Sequence, residues 1–272
     1  MAIASSSSSA GEDFSRFTAR RIGNGTGRDR VRSVAWNLDG RRLATGGTDK
    51  SLRIFLPDKD VRSGTEYRGH MGEISVVRWN PTHPERLATV SSAEGSKPTS
   101  VIETNGMNIT MTWSPDGRHL VVGNRNDDIM WIDADEQTVI RKTRMPKETN
   151  EAFFSHNSTL LTTLVFGDAQ IVAFPSDEPV HSIEVANLPI TVGDLDPRGR
   201  DHVRTCRFSH DGAYLASSSS GQNIHIHNVP TLSEAHVLPV SGGAPADALA
   251  WHPAKNVLAY AGQDAWIWGA GV

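Results

Sequence analysis

Cysteine is almost missing from this 272-residue chain, where Cys206 stands alone. One thiol excludes an intramolecular disulfide framework and any cysteine-built zinc site, and it fits a reducing compartment. Cys206 falls within "VRTCRFS" (203–209) at an alternating, inward position, so a small buried apolar residue is expected and not a reactive thiol. Long apolar runs are missing as well, with nothing near the roughly 18 residues that cross a bilayer. A surplus of one charge is also lacking: 27 Lys and Arg stand against 31 Asp and Glu, a net charge of −4. That balance gives no general reason to bind nucleic acid through charge, although a local basic patch stays open. The start, "MAIASSSSSAGED" (1–13), has neither a basic nor an apolar signal region and reads as a disordered Ser-rich tail. A soluble, intracellular protein is expected.

Catalytic motifs are absent too. There is no Gly-x-Ser-x-Gly elbow, no Gly-x-x-x-x-Gly-Lys loop and no His-Glu-x-x-His. Apolar residues at helical spacing are nowhere evident.

What is present is one unit used repeatedly: an alternating apolar strand, a polar turn and another short strand. The units open with "VRSVAWNLDG" (31–40), "ISVVRWNPTH" (74–83), "NITMTWSPDG" (108–117), "NEAFFSHNST" (150–159), "ITVGDLDPRG" (190–199), "VRTCRFSHDG" (203–212) and "ADALAWHPAK" (246–255). The residues that open the turns, Asn37, Asn80, Ser114, Ser155, Asp196, Ser209 and His252, lie 43, 34, 41, 41, 13 and 43 apart. A strand-rich period of about 40 to 45 is that of four-stranded propeller blades. The fold class is therefore all-β, a β-propeller, over 14–272 as a single domain.

Two intervals break the period. The 34 arises where "RLATVSSAEG" (86–95) passes straight to "TSVIET" (99–104) without a third strand of the "SLRIFL" (51–56) type. The 13 arises where Val203 opens a new unit just after "DPRG" (196–199). Either the ring has six irregular blades, or a seven-blade parent has lost segments through splicing or a faulty gene model. The second is favoured, with incomplete blades near 91–100 and 190–202, and low stability is expected from exposed edges. At the other end, "AWIWG" (265–269) leaves too few residues for a fourth strand. The outer strand of the last blade is expected from "FSRFTARRI" (14–22).

Several units resemble WD repeats. "GGTDKSLRIF" (46–55) matches the core of that motif, and Gly69-His70 is its Gly-His pair, although no Trp-Asp dipeptide occurs. The resemblance implies structural roles for Asp49, Phe55 and His70. Phe55, Trp131, Phe174 and Trp268 stand in or near the Trp position, with His227 there in the sixth unit. More specifically, "VRSVAWNLDGRRLATGGTDKSLRIF" (31–55), "YRGHMGEISVVRWNP" (67–81), "AWHPAKNVLAY" (250–260) and the turn "VGNRNDD" (122–128) resemble the THO complex subunit 3 family. That resemblance implies a WD40-type propeller acting as a non-enzymatic scaffold in the nucleus. It implies other THO subunits as partners, messenger RNA biogenesis and export as the process, and RNA contacted through the complex. A WD adaptor of another class, such as a ubiquitin-ligase substrate receptor, and a propeller hydrolase are the alternatives.

Other candidate sites read as structural. Gly23, Gly25 and Gly27 lack the strand before and helix after that a phosphate loop needs. His225 and His227 share a strand face but lack further metal ligands. Asp133, Asp135 and Glu136 follow a strand as a solvated turn and not as an acid/base set. Arg28, Arg30 and Arg32, and Arg141, Lys142, Arg144 and Lys147, could touch phosphate or an acidic partner, but a solvated face is the default. No catalytic residue, cofactor, metal, membrane or small-molecule substrate is expected, and no partner surface is assigned.

Overall fold

Alternating six-residue segments with β-branched and aromatic residues fold as strands, because one pleated face can be buried while the other meets a neighbouring layer. The computed structural model describes residues 12–23, 29–92, 101, 102, 104, 106–145, 149–154, 160–165, 168–173, 179–184, 203–219, 221–231 and 233–272. Among them are twenty-two strands and one 3₁₀ turn, Phe14–Arg16.

After the turn, β1 (Phe17–Ile22) leads to a first four-stranded sheet. It comprises β2 (Val31–Trp36), β3 (Leu43–Gly47), β4 (Ser51–Leu56) and β5 (Asp60–Arg68), paired in that order. The second holds β6 (Ile74–Trp79) and β7 (Leu87–Ser91), two strands among the described residues. The third runs β8 (Asn108–Trp113), β9 (His119–Asn124), β10 (Asp128–Asp133), β11 (Thr138–Arg144). The fourth runs β12 (Thr149–Phe154), β13 (Leu160–Val165), β14 (Asp168–Ala173), β15 (Pro179–Glu184). The fifth runs β16 (Val203–Phe208), β17 (Tyr214–Ser219), β18 (Asn223–Asn228), β19 (Glu234–Pro239). The sixth joins β20 (Ala248–Trp251), β21 (Leu258–Ala261) and β22 (Ala265–Ala270) to β1. Pairing within each sheet is antiparallel, as hairpin connections require.

First strands touch in the sequence β16, β20, β2, β6, β8, β12, so they line the inside of an arc of blades. The core lies in the seams between blades. Ile74, Val77 and Trp79 of the second pack on Ala35 and Ala44 of the first. Met111, Leu120 and Val122 of the third pack on Val76 and Val90 of the second. Sheet on sheet is how a blade buries both apolar faces.

The N-terminal segment completes the sixth blade: β1 lies antiparallel to β22 from Phe17 opposite Ala270 to Ile22 opposite Ala265. Both strand ends of this blade thus come from the two ends of the chain, and β22 is not left as an edge. Phe14 secures the clasp, its ring 5.0 Å from Tyr214 in the fifth blade and 5.4 Å from Trp268 in the sixth. Of the expected tail over 1–13, residues 1–11 lie outside the described residues, whereas Glu12 is tied down. Its N–H donates to Tyr214 Oη at 2.8 Å and its carboxylate accepts from Asn256 Nδ2 at 2.9 Å.

Several readings need amendment. Cys206 is half-buried and not fully buried. Its strand β16 packs on β20, but among the described residues no strand packs comparably on its other side. Phe208, which ends β16, is 58% exposed. Residues 101, 102 and 104 of "TSVIET" form no ladder, although Ile102 packs on the second seam. The unit at 190–199, the interruption at 93–98 and Phe174 lie outside the described residues.

Candidate interaction site

Each innermost strand ends in an aromatic residue, and where the following residues are described a turn comes next. Trp79 Nε1 donates to Ala35 O at 3.0 Å, Trp113 Nε1 to Arg78 O at 3.1 Å and Trp251 Nε1 to Arg207 O at 3.0 Å. In every case the indole of one blade reaches the inner strand of the blade before it. Such a bond contributes about 1 kcal/mol beyond the burial of the ring. Sequence reading missed this use. The aromatic that recurs one residue before six of the seven turn-opening residues was the available signal.

The turn residues tie the seams from the other direction. Asn37 Oδ1 accepts from Arg42 N at 2.9 Å while its Nδ2 donates to Pro84 O at 3.0 Å in the second blade. Asn80 Oδ1 accepts from Thr82 N at 2.9 Å while its Nδ2 donates to Gly117 O at 2.8 Å in the third. Ser114 and Ser209 close their own turns, accepting from His119 N and Tyr214 N, each at 2.9 Å. His252 lies against Gly40 of the first blade. A Cβ on Gly40 would come 2.1 Å from His252 Nε2, and φ there is +69°, so only glycine fits.

The WD-motif positions fall in the first two blades. Asp49 sits between β3 and β4, accepting from Ser51 N at 3.3 Å and paired with Arg53. Phe55 is 3% exposed and packs with Ile22, Val34 and Leu43 where the sixth blade meets the first. His70 Nε2 is 2.7 Å from Thr89 Oγ1, and burial holds its pKa below the ordinary value. Trp131 and Trp268 are buried.

The residues weighed for chemistry do not converge. His225 Nδ1 meets Glu234 Oε2 at 2.8 Å, and the His225 and His227 rings lie 6.4 Å apart. Burial lowers the pKa of His227, against the opposing charge of Glu234. No group of three or more His, Cys, Asp or Glu among the described residues could hold a metal. Asp133 Oδ1 accepts from the N–H groups of Glu136 at 2.8 Å and Asp135 at 2.9 Å, which hold its carboxyl below the usual range. Asp135 pairs with Arg86 at 2.8 Å. A cavity of about 420 Å³ borders Gly23, Arg30, Asp49 and Arg53; of its three lining acids, Asp29, Asp49 and Asp264, the last two are paired with Arg53 and Arg21. Gly25, Gly27, Arg28 and Lys147 lie outside the described residues.

The basic residues on β11 are engaged at home. Lys142 pairs with Asp128 at 2.9 Å, Arg144 with Asp127 at 3.4 Å, and the Arg141 guanidinium lies 5.4 Å from the Trp131 ring centre. Arg30 and Arg32 differ: both reach Asp247, 2.7 and 3.3 Å away, across the seam to the sixth blade. Their position at the inner end of β2 makes the inner rim the charged surface of interest.

Comparison with known proteins agrees with this geometry. The family model "WD domain, G-beta repeat" matches residues 19–55 and 195–228. The chain is 29% identical to THO complex subunit 3 of Arabidopsis thaliana, over 86% of this chain and 87% of that protein. It is 26% identical to the WD repeat-containing protein WDS homolog of the same plant, over 88% of this chain but 55% of that longer protein. The Cps50 (Swd1) β-propeller domain of Myceliophteria thermophila superposes with a TM-score of 0.57 at 14% identity, over 94% of this chain and all of that domain. The chain folds as a WD40-type β-propeller and is similar over most of its length to THO complex subunit 3.

Proposed function

We propose that this chain is a non-enzymatic scaffold subunit of a THO/TREX assembly, acting in the nucleus in messenger RNA biogenesis and in export coupled to transcription. The similarity to THO complex subunit 3 carries this reading, because it extends over 86% of one chain and 87% of the other. A correspondence of that extent is more than a shared repeat motif.

The geometry supports a binding role. Indoles and turn amides that cross the seams hold neighbouring blades in fixed relation, and a rigid arc presents its loops in fixed positions. Residues 14–272 act as one propeller unit, in which Asp49, Phe55 and His70 serve structure and not chemistry. Its partners are other THO subunits, with RNA reached through them.

The test is recovery of the tagged chain from nuclear extract. Co-purification of THO subunits is the expected result. Recovery of cullin-type ligase components without THO subunits would instead assign the chain to the substrate receptors.

A further inference from the structure

We propose that the inner ends of the fifth, sixth and first blades form a docking site for the carboxylates of an acidic peptide segment on a partner protein. The proposal deepens the scaffold reading and rests on it.

Three charged residues occupy equivalent places in these blades. Arg204, Asp247 and Arg32 each stand four residues before the aromatic that ends the innermost strand, Phe208, Trp251 and Trp36. The Asp247 side chain is 8% exposed and lies between the two arginines. Its Oδ1 accepts from Arg204 Nη1 at 2.6 Å, and its Oδ2 accepts from Arg30 Nη2 at 2.7 Å and Arg32 Nη1 at 3.3 Å.

One carboxylate therefore gathers three guanidiniums. The other acid paired there is Glu73, 3.8 Å from Arg32 Nε. Three guanidiniums against the two carboxylates of Asp247 and Glu73 leave the site net positive among the described residues. The surplus faces water: the side chains of Arg30, Arg32 and Arg204 are 32%, 38% and 44% exposed. Arg30 Nε is buried with no acceptor in the structure. A guanidinium carries five N–H donors in a planar fork that fits a carboxylate edge on. Asp247 thus holds three forks in place in advance, which lowers the ordering cost of binding an anion.

A peptide carboxylate suits the site better than a nucleic acid. The arginines are gathered at one spot instead of spaced along a groove, and affinity for nucleic acid grows with the number of phosphates neutralised.

Fluorescence anisotropy of the whole chain with a labelled oligoglutamate peptide tests this, with oligoglutamine and single-stranded oligouridylate as companions. The expected result is binding of oligoglutamate, weakened by salt, and none of oligoglutamine. Affinity should fall about tenfold or more in the double variant Arg32→Gln, Arg204→Gln, measured below the temperature at which that variant melts. Equal binding of the two peptides, an unaltered affinity in the folded double variant, or tighter binding of oligouridylate would each overturn the site. If the double variant does not fold, the two peptides on the unaltered chain still decide the matter. Loss of peptide binding with THO subunits still recovered removes the docking site alone, and the converse removes the THO reading alone.

Discussion

His252 follows the innermost strand of the sixth blade with its ring against Gly40 of the first, so a titratable group sits in a seam. Burial pushes its pKa below the ordinary 6.5, assisted by the Lys255 charge and opposed by the Gly40 backbone. The unfolded chain then takes up the proton more readily than the folded one. The stability contributed by the neutral ring is complete above pH 6.5 and declines as pH falls below it. His70 is shifted in the same direction, again by burial. Asparagine fills the corresponding turn position at Asn37 and Asn80, so His252→Asn is a replacement the fold already uses. Its melting temperature should fall less steeply than that of the unaltered chain between about pH 7 and about pH 5.5. Parallel curves would contradict the role given to His252.

At the level of the strand, the terminal aromatic differs in burial from blade to blade. Trp251 is 9% exposed and bonded to the fifth blade, while Phe208 in the equivalent place is 58% exposed. Trp251→Ala should cost on the order of 3 to 5 kcal/mol, by loss of a large buried ring. Phe208→Ala should cost under about 0.5 kcal/mol, as an ordinary surface change does. Urea midpoints at constant slope measure both, and a Phe208→Ala loss as large as that of Trp251→Ala would contradict the exposure of that strand. The strands themselves were legible in the sequence because short apolar segments between polar turns report burial: "SLRIFL" became β4 without a residue's error. The clasp was legible because the last unit ran out of residues. The bonds across seams were not, since a repeat period says which positions are equivalent but not toward which neighbour a side chain leans. Nor was Asp247, whose partners Arg30, Arg32 and Arg204 are remote in sequence and meet it only through the arc.

For the molecule as a whole, the two chain ends meet in one blade. Phe14 and Ile22 are 5% and 4% exposed, and β1 covers the edge of β22 along six residue pairs. Burial of two such side chains contributes roughly 3 to 6 kcal/mol, a large part of the about 5 to 15 kcal/mol that stabilises a domain. A chain beginning at Gly23 therefore loses a strand and also the support of Trp268, Tyr214 and the sixth seam. Capture of THO subunits by the tagged full chain and by this truncated chain, side by side, tests the central claim of one clasped propeller acting as a scaffold. The account predicts recovery with the full chain and loss with the truncated one. Equal recovery by both, or none by the full chain, would contradict it.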